Sequence, residues 1–292
     1  FAAVHPRISR RQCRSIGGGT PLSGRTIEIK GRKVWIMENG NGAPLFYLHG
    51  FADVHSVKES WLPFHQQLAK SARVIAPAHP GCAQSDEDKD IDTVEDVVFA
   101  YLELLDALEL TQFDLVGTCV GGWIAAEIAV RHPEKIRKLV LIGATGLFVE
   151  GALIGDVFMN AQPEYGSSYA TLREMFFSSA DHPIALEMFP DGKGEIDDEV
   201  RRYQMLRLSS RIGFKPPYFY NRPLRNRLHR ITSPALVIWG EKDNFVPRSH
   251  GETYAKIIPN SDDLKIIPGA GHSVQVEKPE EMANLVMDFL AK

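Results

Sequence analysis

The chain has 292 residues, 44% hydrophobic and 24% charged, which suits a globular protein able to bury a large core without disulfide or metal staples. A formal net charge of -4 leaves no basic excess for a nucleic-acid partner. Three cysteines with no CxxC pair, Cys13, Cys82 and Cys119, argue against a disulfide framework and a zinc site. They fit a reducing, cytoplasmic setting, and no apolar run approaches the ~18 residues of a membrane span.

Residues 1–24 form a basic arm. Arg7, Arg10, Arg11, Arg14 and Arg25 all precede the first acidic residue, Glu28. Such a leader reads as an organelle-targeting remnant or as a plain surface arm. Short, mostly continuous β-rich runs then follow at Thr26 to Ile29, Val34 to Met37, Leu45 to Leu48, Arg73 to Ala76 and Phe113 to Val116. Others lie at Leu139 to Ile142, Leu236 to Trp239 and Leu264 to Ile267. Continuous rather than alternating apolar runs predict strands covered on both faces. Helical spacing fits Trp61 to Ala69, the stretch after Asp92 and Glu95 (read as a capping box), Val120 to Arg131, and Glu280 to Ala291 after Pro279. Alternation of the two patterns predicts a doubly wound, mostly parallel eight-stranded sheet in an α/β core, residues 25–144 and 229–292.

Residues 145–228 interrupt the alternation. This stretch holds 16 of the chain's 34 Phe, Tyr, Trp and Met residues, so it reads as a helical lid inserted between two strands. Asp191-Gly192-Lys193-Gly194 marks a loop within it.

The segment Phe113-Asp114-Leu115-Val116-Gly117-Thr118-Cys119-Val120-Gly121-Gly122-Trp123 runs from a strand through a tight turn into a helix. It resembles the nucleophile elbow, Gly-x-Ser-x-Gly, with cysteine in the place of serine. A nucleophile on so sharp a turn needs small neighbours, which Gly117 and Gly121 supply. The following helix N-terminus favours a thiolate at Cys119. Leu48-His49-Gly50-Phe51 follows a strand directly. Gly240-Glu241-Lys242-Asp243 leads into Val246-Pro247, and Gly269-Ala270-Gly271-His272 precedes the final helix. These four motifs, in this order, resemble the α/β-hydrolase family from about Arg25 to the last residue. The resemblance implies Cys119 as nucleophile, Asp243 as the acid and His272 as the base. It also implies an oxyanion hole built from the backbone N–H groups of Phe51 and Val120. Candidate substrate-binding residues are His49, Gly50, Trp123, Phe176, Tyr218 and Tyr220.

The expected activity is hydrolysis or acyl transfer on an apolar ester, thioester or lactone of medium size, through an acyl-enzyme. The expected partner is therefore a small apolar acyl substrate, met by a monomer or a homo-oligomer with no cofactor and no metal. Cysteine at the elbow is unlike the aspartate of epoxide hydrolases and haloalkane dehalogenases. It resembles dienelactone hydrolases and polyhydroxyalkanoate synthases at the elbow alone. Carbon–carbon hydrolases of aromatic ring-cleavage products are an alternative, although Ser273 stands where that group typically has tryptophan. A non-catalytic ligand-binding role, and a cysteine standing where a natural serine was replaced, are the other readings.

Overall fold

The computed structural model describes residues 8–9, 24–160, 169–192, 195–214 and 218–292. Each of the eight apolar runs forms a strand. A two-residue strand from the basic arm, β1 (Ile8–Ser9), adds to the edge; the rest of the arm up to residue 23 lies outside the described residues. The others are β2 (Gly24–Ile29), β3 (Arg32–Asn39), β4 (Ala43–Leu48), β5 (Ala72–Pro77), β6 (Phe113–Thr118), β7 (Ile136–Ile142), β8 (Ala235–Gly240) and β9 (Lys265–Ile267). The sheet order is β1-β2-β3-β5-β4-β6-β7-β8-β9. β1, β2 and β3 pair antiparallel at one edge, and β5 to β9 are parallel. Both faces of the central strands are covered, which is why β6 and β8 are buried at every residue and read as unbroken apolar runs.

The covering helices fall where the periodicity places them. α1 (Pro63–Leu68) begins at a proline, a residue that lacks the N–H a first turn leaves unpaired. α2 (Val94–Ala107) does carry a capping box, one residue later than the sequence suggests. Thr93 is the N-cap, its hydroxyl accepts from the Asp96 N–H, and the Asp96 carboxylate accepts from the Thr93 N–H. Glu95 is diverted to an ion pair with Arg131 and a hydrogen bond from Asn221. α3 (Cys119–Arg131) starts at the cysteine itself and packs on β6, β7 and α2.

Among the described residues, the connection between β7 and β8 holds five α-helices: α4 (Val157–Asn160), α5 (Ala170–Phe176), α6 (Pro183–Met188), α7 (Ile196–Gly213) and α8 (Leu224–Arg227). The loop expected at 191–194 lies partly outside the described residues. After β8 come α9 (Arg248–Ile257), α10 (Val274–Glu277) and α11 (Pro279–Ala291), the last packed against α1 on the face opposite α3. No helix among the described residues is long and apolar enough to cross a membrane.

Candidate active site

The junction of β6 and α3 is forced by close backbone approach. A Cβ on Gly117 would lie 2.4 Å from the Gly121 carbonyl oxygen, and one on Gly121 would lie 2.2 Å from that of Leu48. Only glycine permits a turn this tight at both positions. Cys119 sits at the apex with φ 55°, a strained setting for a residue with a side chain. Its thiol is buried.

The β8 and β9 ends bring the other two groups to the same place. His272 Nδ1 donates to Asp243 Oδ2 at 2.8 Å, and the His272 ring and Cys119 line the same small chamber. Asp243 Oδ1 accepts from the Phe245 and Val246 N–H groups at 2.9 and 2.8 Å, which fixes the carboxylate. Glu241 instead accepts from the Gly269 N–H. Burial works against a charged His272. The charge of Asp243 and its hydrogen bond, with the nearby Cys119, outweigh it, and the His272 pKa rises to about 10. The imidazole packs against the rings of Phe176 and Phe245, at 5.7 and 5.0 Å, which also contact each other. No acceptor is found for the Phe51 N–H among the described residues, and the Val120 N–H falls in the first turn of α3, where a helix offers none.

Two spaces flank this constellation. Beside Cys119 and His272, bounded by Gly50, Phe51 and Gln275, lies about 10 Å³, room for roughly one water. A larger cavity of about 180 Å³ lies under the β7–β8 insertion, lined by Phe51, Val157, Leu172, Phe176, Phe189 and Met205 among others. Phe51 lines both, and its ring stacks on Phe176 with centroids 5.7 Å apart.

Of the candidate substrate-binding residues, Gly50 and Phe176 line these spaces. His49, Trp123, Tyr218 and Tyr220 are not among the lining residues of either. The His49 ring turns away to stack on His79 at 3.8 Å and accepts from the His79 N–H. Trp123 turns along its own helix, donating to Glu127. Tyr218 bonds Asp156 and the Gly155 carbonyl, and Tyr220 packs on Phe148. The composition of the insertion marked its apolar character, but which rings face inward depends on packing.

Sequence reading missed Arg202. It lines the larger cavity among apolar groups and is almost fully buried. One guanidinium nitrogen donates to the Met188 carbonyl and another pairs with Glu199, while Nε has no partner. An arginine amid the soft residues of an inserted helix was the available signal.

Beneath the Phe51 loop lie four buried histidines, His49, His55, His65 and His79. Burial holds each below its ordinary pKa, His55 at about 3 and His79 at about 4. They are therefore neutral in the fold but take up protons near pH 6.5 when unfolded, so stability is full above about pH 7 and falls as pH drops below 6.5. The loss is about 1.4 kcal/mol per pH unit for each histidine, or about 4 kcal/mol at pH 5 from His55 and His79 together. His272 acts in the opposite sense, losing its contribution as pH rises from 6.5 towards 10. Urea midpoints should peak near neutrality and collapse towards pH 5; a midpoint unchanged between pH 7 and 5 would contradict the neutral cluster.

A family model described as the alpha/beta hydrolase fold matches residues 43–279. The chain belongs to the α/β-hydrolase family. It is 32% identical to a 2-hydroxymuconate semialdehyde hydrolase from Pseudomonas sp. (strain CF600), over 94% of this chain and 95% of that protein. It is 28% identical to a monoacylglycerol lipase from Xenopus laevis, over 86% and 76%. A solved meta-cleavage product hydrolase from Pseudomonas fluorescens IP01 shares its fold, with a TM-score of 0.71 at 21% identity over 92% of this chain and 98% of that one. The chain is accordingly a hydrolase of the α/β fold.

Proposed function

We propose that this hydrolase works through an acyl-enzyme on Cys119, with His272 as proton carrier and Asp243 as its orienting acid, on an apolar acyl substrate of medium size. The observation that carries the reading is Cys119, at the apex of a strained strand-to-helix turn, sharing one small chamber with a His272 that is bonded to Asp243. In this reading the Cys119 sulfur attacks the substrate carbonyl carbon. The oxygen takes up the electron pair and is held by the Phe51 and Val120 N–H groups. Collapse expels the leaving group with a proton from His272. Water, deprotonated by His272, then attacks the thioester carbon and releases the acid and Cys119. The apolar lining of the 180 Å³ cavity suits the acyl chain.

The test is a panel of p-nitrophenyl esters, thioesters and lactones of graded length, with mass spectrometry of the protein during turnover. Rates should rise from acetyl towards octanoyl, and an acyl adduct should accumulate on Cys119. Rates falling steadily with length, or an adduct elsewhere, would overturn the reading.

A second reading, hydrolysis of a carbon–carbon bond in a ring-cleavage product, is favoured by Arg202 and by the semialdehyde hydrolase relative. Arg202, which keeps an unpaired Nε beside its Glu199 partner in a mostly apolar cavity, suits a substrate that is apolar along its length and anionic at one end. Arg202→Met keeps the bulk and removes the charge. It should lower kcat/KM for carboxylate-bearing substrates by about 30-fold, as expected for a charged hydrogen bond of about 2 kcal/mol, and leave neutral esters within about threefold. Equal losses on both classes would remove the support for this reading.

A further inference from the structure

Asp53 is a fully buried carboxylate, and its partners come from the elbow, the Phe51 loop and the segment after His272. Its Oδ2 accepts from the Thr118 hydroxyl at 2.7 Å, one residue before Cys119. It accepts from the Gly50 N–H at 3.3 Å, one residue before Phe51, and from the Gln275 amide at 3.4 Å, three residues after His272. The Tyr47 hydroxyl donates to the same oxygen at 2.6 Å, from the end of β4. Oδ1 takes the Val54 N–H at 2.7 Å and lies 3.5 Å from His65 Nε2. A buried charge is tolerated only when its lone pairs are filled in this way, so the position of each donor is set by the one carboxylate.

The Thr118 bond has a particular consequence. Thr118 is the N-cap of α3, where a threonine hydroxyl ordinarily accepts from the first-turn N–H groups. Here it makes no such cap, because the hydroxyl is turned to donate to Asp53. The first-turn N–H groups, that of Val120 among them, are left for another acceptor. On the other side, drawing the Gly50 N–H downwards fixes the peptide that precedes the Phe51 N–H, which also lacks an acceptor among the described residues. The small chamber of about 10 Å³ is lined by Phe51, Thr118 and Cys119, the residues on either side of these donors.

We infer that Asp53 is a positioning residue that aligns the two oxyanion-binding N–H groups with Cys119 and His272 by tying the Phe51 loop, the elbow and the loop after His272 to one buried carboxylate. This rests on the triad reading above. Asp53 itself touches neither substrate nor sulfur; its removal misplaces groups that act only once negative charge has developed on the substrate oxygen. The loss therefore falls on kcat and not on KM.

The test compares wild type, Asp53→Asn, Thr118→Val and Cys119→Ala on one activated thioester, with thermal midpoints. It adds inhibition by an aldehyde analogue of the acyl group, whose carbon bonds to Cys119 to place an oxyanion, against the corresponding alcohol. Asp53→Asn should lower kcat about 100-fold, the scale of a 1 Å misplacement, with KM within about threefold. It should weaken the aldehyde but not the alcohol, and Thr118→Val should follow with a loss of about tenfold. Unchanged kcat in a folded Asp53→Asn protein, or equal weakening of aldehyde and alcohol, would overturn the inference. If Asp53→Asn does not fold, Thr118→Val decides, and wild-type kcat in it overturns the inference. Full activity in Cys119→Ala would instead remove the triad reading and this inference with it, whereas an inactive Cys119→Ala beside a fully active Asp53→Asn removes the inference alone.

Discussion

Cys119→Ala and His272→Ala are each expected to lower kcat/KM by at least about four orders of magnitude; Cys119→Ala should keep the melting temperature close to that of the unaltered protein, whereas His272→Ala, which leaves the buried Asp243 without its partner, should lower it while the protein still folds. Members of a triad act as a unit, so losing one costs nearly as much as losing all. Cys119→Ala deletes the atom that bonds to the substrate; His272→Ala deletes the group that moves the proton. The fold should tolerate both. Both side chains are buried, but the close contacts that shape the elbow come from Gly117, Gly121 and the Leu48 carbonyl rather than from the sulfur. Alanine at 119 must still adopt φ 55°, a strain the wild-type cysteine already bears. Asp243→Asn should cost the same or less. The Phe245 and Val246 N–H groups can still hold one amide oxygen, but an amide facing His272 Nδ1 imposes the wrong tautomer. The measurement is kcat/KM with circular dichroism on each purified variant. Wild-type turnover in a folded Cys119→Ala protein would end the assignment.

What could be read ahead of the structure was what is encoded locally. The strands are legible because two covered faces demand unbroken apolar runs, and the elbow is legible because its small residues are needed within five positions of Cys119. Asp243 and His272 lie at strand ends in short fixed patterns, so they too are found by spacing. Interactions between distant segments are a different matter. Asp53 meets Thr118 across 65 residues and Gln275 across 222, and nothing near Asp53 in sequence announces either partner. His49 shows the converse. Its place after β4 is legible, but the side chain's direction is decided by His79, 30 residues on. Trp123 sits four residues after Cys119, yet its indole follows Glu127 on the same helix face rather than the chamber. The one-residue error in the α2 cap has a local cause: Asp92, Thr93, Glu95 and Asp96 all carry capping chemistry, and the competing Arg131 lies on another helix.

Cys119→Ser is expected to lose most of the activity, by about 100-fold or more in kcat/KM on an activated thioester. A serine hydroxyl becomes nucleophilic only when a neutral histidine takes its proton in the same step. Asp243 helps to raise the His272 pKa to about 10, so the imidazole enters as a proton-bearing partner of the sulfur rather than as a base for a hydroxyl. The surroundings are also fitted to sulfur. A Cβ on Gly50 would lie 2.6 Å from the Cys119 Cβ, and the chamber holds roughly one water, so the nucleophile has no room to shift towards its target. The shorter C–O bond would leave serine short of the carbonyl that the Phe51 and Val120 N–H groups position. Two measurements decide the matter: kcat/KM for both forms on one substrate, and the rate of iodoacetamide labelling of Cys119 against pH. A preformed thiolate–imidazolium pair gives rapid labelling that stays nearly flat from pH 6 to 8, and His272→Ala should make that profile rise steeply with pH. A slow, pH-dependent thiol in the unaltered protein, together with a faster serine form, would mean that the site was built for oxygen and that cysteine is the intruder.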